Sequence, residues 1–254
     1  MTALPKRSYE SDEAAPRSAS GTVAVALDTL GVTRVGAALE VVDCMRVLAK
    51  SGSNLVAEAL GSHEFIEWDH YPPDDVRDPE SHAQYYFHAH PVSDKCESDY
   101  GHFHTFLRVK GMPEGVAPAP VPPNTAKELP EEPICHLIAI SMTRDGLPDR
   151  LFTTNRWVAG DTWYAAPDVI KMLDRFGIDL TRPSWPLNRW LTAMLVLFRP
   201  QIEQLLYERD TRIAAWQVEH PDLEVYEDRR LEITSARKIS IEDQIRSMGL
   251  LEDE

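Results

Sequence analysis

The sequence predicts an α+β protein, with a mostly antiparallel sheet of four or more strands flanked by N- and C-terminal helices. Three observations carry this reading. Apolar residues recur at helical spacing over 34–50, strand-like runs rich in Tyr, Phe, Thr and Ile fill the middle, and helical periodicity returns after residue 186. Strands grouped together and helices grouped together, rather than alternating, favour α+β over a parallel α/β sheet.

In chain order, residues 1–21 are polar and aperiodic and are expected to form a disordered tail. Residues 22–254 are expected to form a single α+β domain. Val35, Ala38, Leu39, Val42, Met45 and Leu48 suggest a helix over 34–50, with Thr33 as its cap. A short second helix, Leu55–Leu60, should stop at Gly61. Residues 62–81 combine aromatic residues, histidines, Pro72-Pro73 and acidic residues, and read as ordered but irregular. HAQYYFHAH (82–90) and HFHTFLRVK (102–110) read as strands. The seven prolines of 113–133 make that stretch a loop of polyproline character. Cys135–Met142 and Arg150–Val158 form the clearest hairpin, turning at Asp145-Gly146. Pro167–Phe176 is a short helix, and 186–254 is expected to be helical. Within it, a long helix over 186–219 kinks or restarts at Pro200, and a last helix is introduced by Ser240-Ile-Glu-Asp243.

Composition narrows the partners. Acidic residues outnumber basic ones 41 to 26, for a net charge of -15. A duplex-binding surface needs clustered Lys and Arg to displace counterions, so nucleic acid and anionic membrane are not expected partners. The apolar run Trp190–Phe198 is much shorter than the roughly 20 residues of a membrane span. The N-terminus lacks the apolar stretch of a secretory signal, and the expected location is cytoplasmic. Cys44, Cys96 and Cys135 are odd in number and widely spaced, unlike a disulfide framework.

The histidines carry the chemistry. Eight of the nine lie between residues 63 and 136, and two His-x-His pairs stand out: His88/His90 and His102/His104. In a strand, side chains at i and i+2 share a face, roughly 6.6–7 Å apart. If the two strands pair antiparallel, the four imidazoles meet on one side and offer ligands to a divalent transition metal such as iron, zinc or copper. Glu97 is the first choice for an added carboxylate, with Asp99, Asp69 and Glu80 as others, and Cys96 is a source of sulfur. Tyr86 and Arg108 share the histidine face by alternation. They are the candidate catalytic residues, Tyr86 as a proton or hydrogen-bond donor and Arg108 as a clamp for a small anionic substrate. His70 is a candidate further ligand. His136 alternates with the apolar Ile138 and Ile140, which reads as a residue at the inner edge of the site or, more commonly, as a core histidine.

The stretches HYPPDDVRDPESHAQYYFHAHP, GHFHTFLR and LFTTNRWV resemble a bacterial family known as a domain of unknown function. The resemblance implies no activity. On its residues alone the chain reads as a metalloenzyme, closer to an oxidoreductase than a hydrolase. The alternatives are a non-catalytic metal-binding accessory, sensor or maturation protein, and a scaffold whose histidines are structural. In the accessory reading a protein partner would meet the proline-rich loop or the C-terminal helices.

Overall fold

A computed structural model describes residues 33–90, 100–123 and 132–251. The expected tail at 1–21 and the loop residues Cys96, Glu97 and Asp99 lie outside the described residues. Everything below belongs to one compact unit, Thr33–Glu254.

The centre is a six-stranded antiparallel meander in which each strand pairs with its neighbour in sequence. Its strands are β1 (Tyr71–Arg77), β2 (Ala83–His88), β3 (Gly101–Arg108), β4 (Ile134–Met142), β5 (Pro148–Thr154) and β6 (Ile233–Lys238). The helices are α1 (Arg34–Lys50), α2 (Leu55–Leu60), α3 (Arg156–Ala159), α4 (Ala166–Leu173), α5 (Trp185–Leu197), α6 (Arg199–Glu219) and α7 (Ile241–Ser247). The fold is therefore α+β, with the sheet flanked by N- and C-terminal helices.

Local chemistry sets several boundaries. Thr33 accepts a hydrogen bond from the Gly36 N–H at the start of α1, and Ser240 accepts from the Asp243 N–H at the start of α7. Pro200 lies in the first turn of α6, where a missing N–H costs no helical hydrogen bond, so the long helix restarts there. Gly146 turns β4 into β5 at φ 76°, and a Cβ there would sit 2.6 Å from Asn54 Cγ.

One sheet face is the main core. Tyr85, Phe87, Phe103, Ile138, Ile140 and Leu151 point to it by alternation, and all are essentially inaccessible. Phe103 alone removes enough apolar surface to contribute roughly 1.5–3 kcal/mol. Helix α5 covers this face through Trp190, which packs 6.1 Å from Phe103, and through Asn188, which accepts a 2.6 Å hydrogen bond from the Tyr85 hydroxyl. Helix α6 lies over β6 on the same side, where the Ser235 hydroxyl donates to the Leu205 carbonyl. Helix α1 packs on α5, tied by the Arg189–Glu40 ion pair at 2.7 Å.

Four sequence expectations are corrected. The segment 62–81 contains β1, whose prolines are tolerated because it is an edge strand. The region after 186 is not all helical, because β6 closes the other edge. The second strand of the β4–β5 hairpin ends at Thr154, and Asn155 caps the short helix α3 instead. The buried face of α1 is Ala37, Ala38, Val41, Cys44 and Leu48. Val35, Leu39 and Val42 are exposed, so the apolar stripe is rotated from the one expected.

Candidate metal centre

The opposite sheet face holds the histidines. Strands β2 and β3 pair antiparallel with His88 opposite His102 and Tyr86 opposite His104. One nitrogen from each of His88, His102 and His104 lies within 4.8 Å of the others, and all three side chains are buried. His88 Nε2 and His102 Nε2 are 2.7 Å apart. In a tetrahedral site two nitrogens on one ion sit about 3.3 Å apart, so the triad can hold a metal ion with small side-chain adjustments.

His104 is the best-defined member. Its Nδ1 lies 3.0 Å from His136 Nε2, while its fully buried Nε2 has no hydrogen-bond partner among the described residues. If Nδ1–H donates to His136, the Nε2 lone pair is left without a donor. A buried lone pair without a donor is costly, and a cation satisfies it. With an ion bound, His136 would have the part of an outer hydrogen-bonding partner that fixes tautomer and ring orientation.

A β-bulge brings His136 there. Thr105 pairs with Ile138 but Phe106 pairs with His136, so Leu137 is an extra residue in β4. Without it, His136 would face the helical layer with Ile138 and Ile140. The backbone N–H of His136 donates to Asp161 Oδ2 at 3.0 Å, which holds the bulged segment.

Burial keeps the donors neutral. It pushes the His88 imidazole down to about 2, with His102, His90 and His70 adding to the effect. It holds His104 well below the ordinary histidine range, helped by His102 and His136, and it lowers His136 to about 3. Neutral imidazoles are the form that ligates metals.

The other expected site residues are distributed as follows. His90 lies just past β2, its ring centroid 5.0 Å from those of both His88 and His102, and it stacks on Trp68 at 4.2 Å. Tyr86 does share the histidine face, 5.1 Å from His104 and 5.4 Å from His88, stacked between His70 and Phe106. Arg108 is held 2.5 Å from Glu132. Asp69 and Glu80 are exposed and outside the converging group.

Four neighbours were missed. Trp68 and Phe152 wall the triad, with Phe152 5.1 Å from His102. Arg150 pairs across the sheet with Ser141, which in turn pairs with His102, so a guanidinium does share this face. Asp75 accepts from His70 at the rim. Strand alternation across the β4–β5 hairpin was the one sequence signal able to find Arg150 and Phe152.

No helix among the described residues is long and apolar enough to cross a membrane. Neither the curated proteins nor the solved structures contain a match to this chain. A family model does match it, over residues 35–239, a span that includes the whole sheet and every histidine discussed above. The chain therefore belongs to the family described as Domain of unknown function (DUF6969).

Proposed function

We propose that this protein is a metalloenzyme in which His88, His102 and His104 hold one divalent transition metal, iron, zinc or copper, on the face of the β2–β3 hairpin. The observation that carries the reading is the convergence of one nitrogen from each of the three buried imidazoles within 4.8 Å, together with a buried His104 Nε2 that has no hydrogen-bond partner among the described residues. Three neutral nitrogen donors leave a coordination position for a substrate, the arrangement of catalytic rather than structural sites. The metal would supply redox or Lewis-acid chemistry at that position. The chain's own residues shape what reaches it. Trp68 and Phe152 flank the triad at His88 and His102, Tyr86 packs against His104, and Arg150 supplies positive charge for a small anionic substrate.

One observation favours a second reading. The His90 ring stands as far from His88 and His102 as the triad rings stand from one another, 5.0 Å against 4.6–5.1 Å. With His90 as fourth ligand the site would be closed, which suits an accessory or sensor protein.

Elemental analysis of the untagged full chain beside a His88→Ala/His102→Ala double variant tests the metal. The proposal expects about one equivalent in the parent and a loss in the variant; equal contents would end it. Cobalt(II) loading then separates the two readings. An open site changes its visible spectrum when azide is added, and a closed four-histidine site does not.

A further inference from the structure

A further histidine, His70, stands at the rim of the triad, and the metal does not account for it. His70 Nδ1 lies 2.9 Å from Asp75 Oδ1, and the other oxygen of that carboxylate accepts a 2.7 Å hydrogen bond from Gln84 Nε2. The His70 ring stacks on Tyr86 at 3.6 Å, nearly parallel at 8°, and stands edge-on to His88 at 5.9 Å. Rotation about the ring axis is thus blocked by a stack on one side and a fixed acceptor on the other. The imidazole remains accessible, with 43% of the side chain exposed, whereas Asp75 is mostly covered at 12%.

The backbone is shaped to make this pair. Between Tyr71 opposite Phe87 and Val76 opposite Tyr85, β1 spends five residue steps against two on β2. The excess loops out, and both Asp74 and Asp75 take positive φ, 71° and 55°. That region is unfavourable for residues other than glycine, although Asp tolerates it better than most. Such conformations persist where surrounding contacts hold them, and they concentrate at binding sites.

We propose that Asp75 positions His70 to accept a hydrogen bond from a ligand held at the triad, so that the site selects small metal-chelating molecules carrying an O–H or N–H donor. The inference rests on the metal reading above. A carboxylate only accepts, so in the neutral ring Nδ1 carries the hydrogen and Nε2 presents a lone pair to the ligand. Asp75 acts through His70 and is a positioning residue.

The test uses the full chain loaded with cobalt(II) and two probes read by the visible spectrum. Acetohydroxamate keeps an N–H donor when it chelates, whereas azide has no hydrogen to give. The expected result is that His70→Ala weakens acetohydroxamate about tenfold and leaves azide within about twofold, the cost of one lost hydrogen bond. Asp75→Asn should lie between His70→Ala and the parent for acetohydroxamate. Equal weakening of both probes, or of neither, overturns the role of His70 while the metal reading stands. A parent chain that takes up no cobalt overturns both. Nitrogen-15 spectra of the metal-free protein give a separate check. His70 should be the Nδ1–H tautomer in the parent and lose that preference in Asp75→Asn. An Nε2–H tautomer in the parent would refute the inference without touching the triad.

Discussion

His136 Nε2 lies 3.0 Å from His104 Nδ1, and the two rings meet only because β4 carries one residue more than its partner between them. In the proposed metal centre the pair would divide the work between a ligand and the group that orients it. His104→Ala should abolish metal retention. His136→Ala should leave the metal bound but weaken it by about 10- to 100-fold, the usual cost of losing an outer partner. Chelator competition on the two variants measures the difference, and identical behaviour would dissolve the distinction.

Gly101 opens β3 tightly against β2. A Cβ there would fall 2.5 Å from the Phe87 ring and 2.7 Å from the His88 carbonyl oxygen. The ring can tilt, but the carbonyl moves only with its strand. Gly101→Ala should cost about 1–3 kcal/mol by overpacking and should displace His88 from His102. Urea denaturation and metal content, taken together, check both effects.

The two arginines near the face should separate cleanly. Arg108 is occupied by Glu132 at a partly exposed position, so Arg108→Gln should change stability by no more than about 1 kcal/mol and leave azide binding to the cobalt form unchanged. Arg150→Gln removes the positive charge beside Ser141 and should weaken azide by about fivefold. The opposite ranking would restore Arg108 as the anion clamp.

Asp161 gives the protein a pH signature. Burial pushes its carboxyl up to about 6, against the lowering pull of the His136 N–H and of Arg209. The folded value lies above the unfolded one, near 3.9. Between about pH 4 and 6 the folded chain keeps a proton that the unfolded chain has released, so this group removes stability as pH rises, on the order of 2–3 kcal/mol in full. The buried His88, His104 and His136 act in the other direction. Their folded values are lowered, so stability falls as pH drops below about 6.5 and the unfolded chain takes up protons. Asp161→Asn keeps an acceptor for the His136 N–H and removes only the first effect. Its stability relative to the parent should grow from pH 4 to 7 in metal-free urea titrations. A difference that stays flat would mean that Asp161 titrates normally.

Much of this was legible in the sequence where one rule acted alone. The β2–β3 pairing followed from two aromatic- and histidine-rich runs, the β4–β5 turn from Asp145-Gly146, and the helix starts from Thr33 and Ser240. The misreadings arose where a second rule overrode the first. Tyr71-Pro-Pro-Asp-Asp-Val-Arg77 does not look like a strand, but edge strands tolerate prolines because one side of their ladder is unpaired. Ile233–Lys238 is short and charged, as exposed edges commonly are. His136 sat on the apolar face by counting in twos, and the bulge at Leu137 changed the parity. Arg108 did fall near the histidine face, but what it pairs with depends on Glu132, 24 residues away.

All three triad donors come from a single hairpin, between His88 and His104, so they meet once those two strands zip together, before any helix has to dock. Bringing such near neighbours together costs little chain entropy. A cation captured at that stage would act as a staple in a partly folded chain, since binding energy gained by an incompletely folded site becomes folding energy. Assembly of the sheet would then begin at β2–β3 and spread one strand to β1 and three to β6, with its rate set by the supply of the ion.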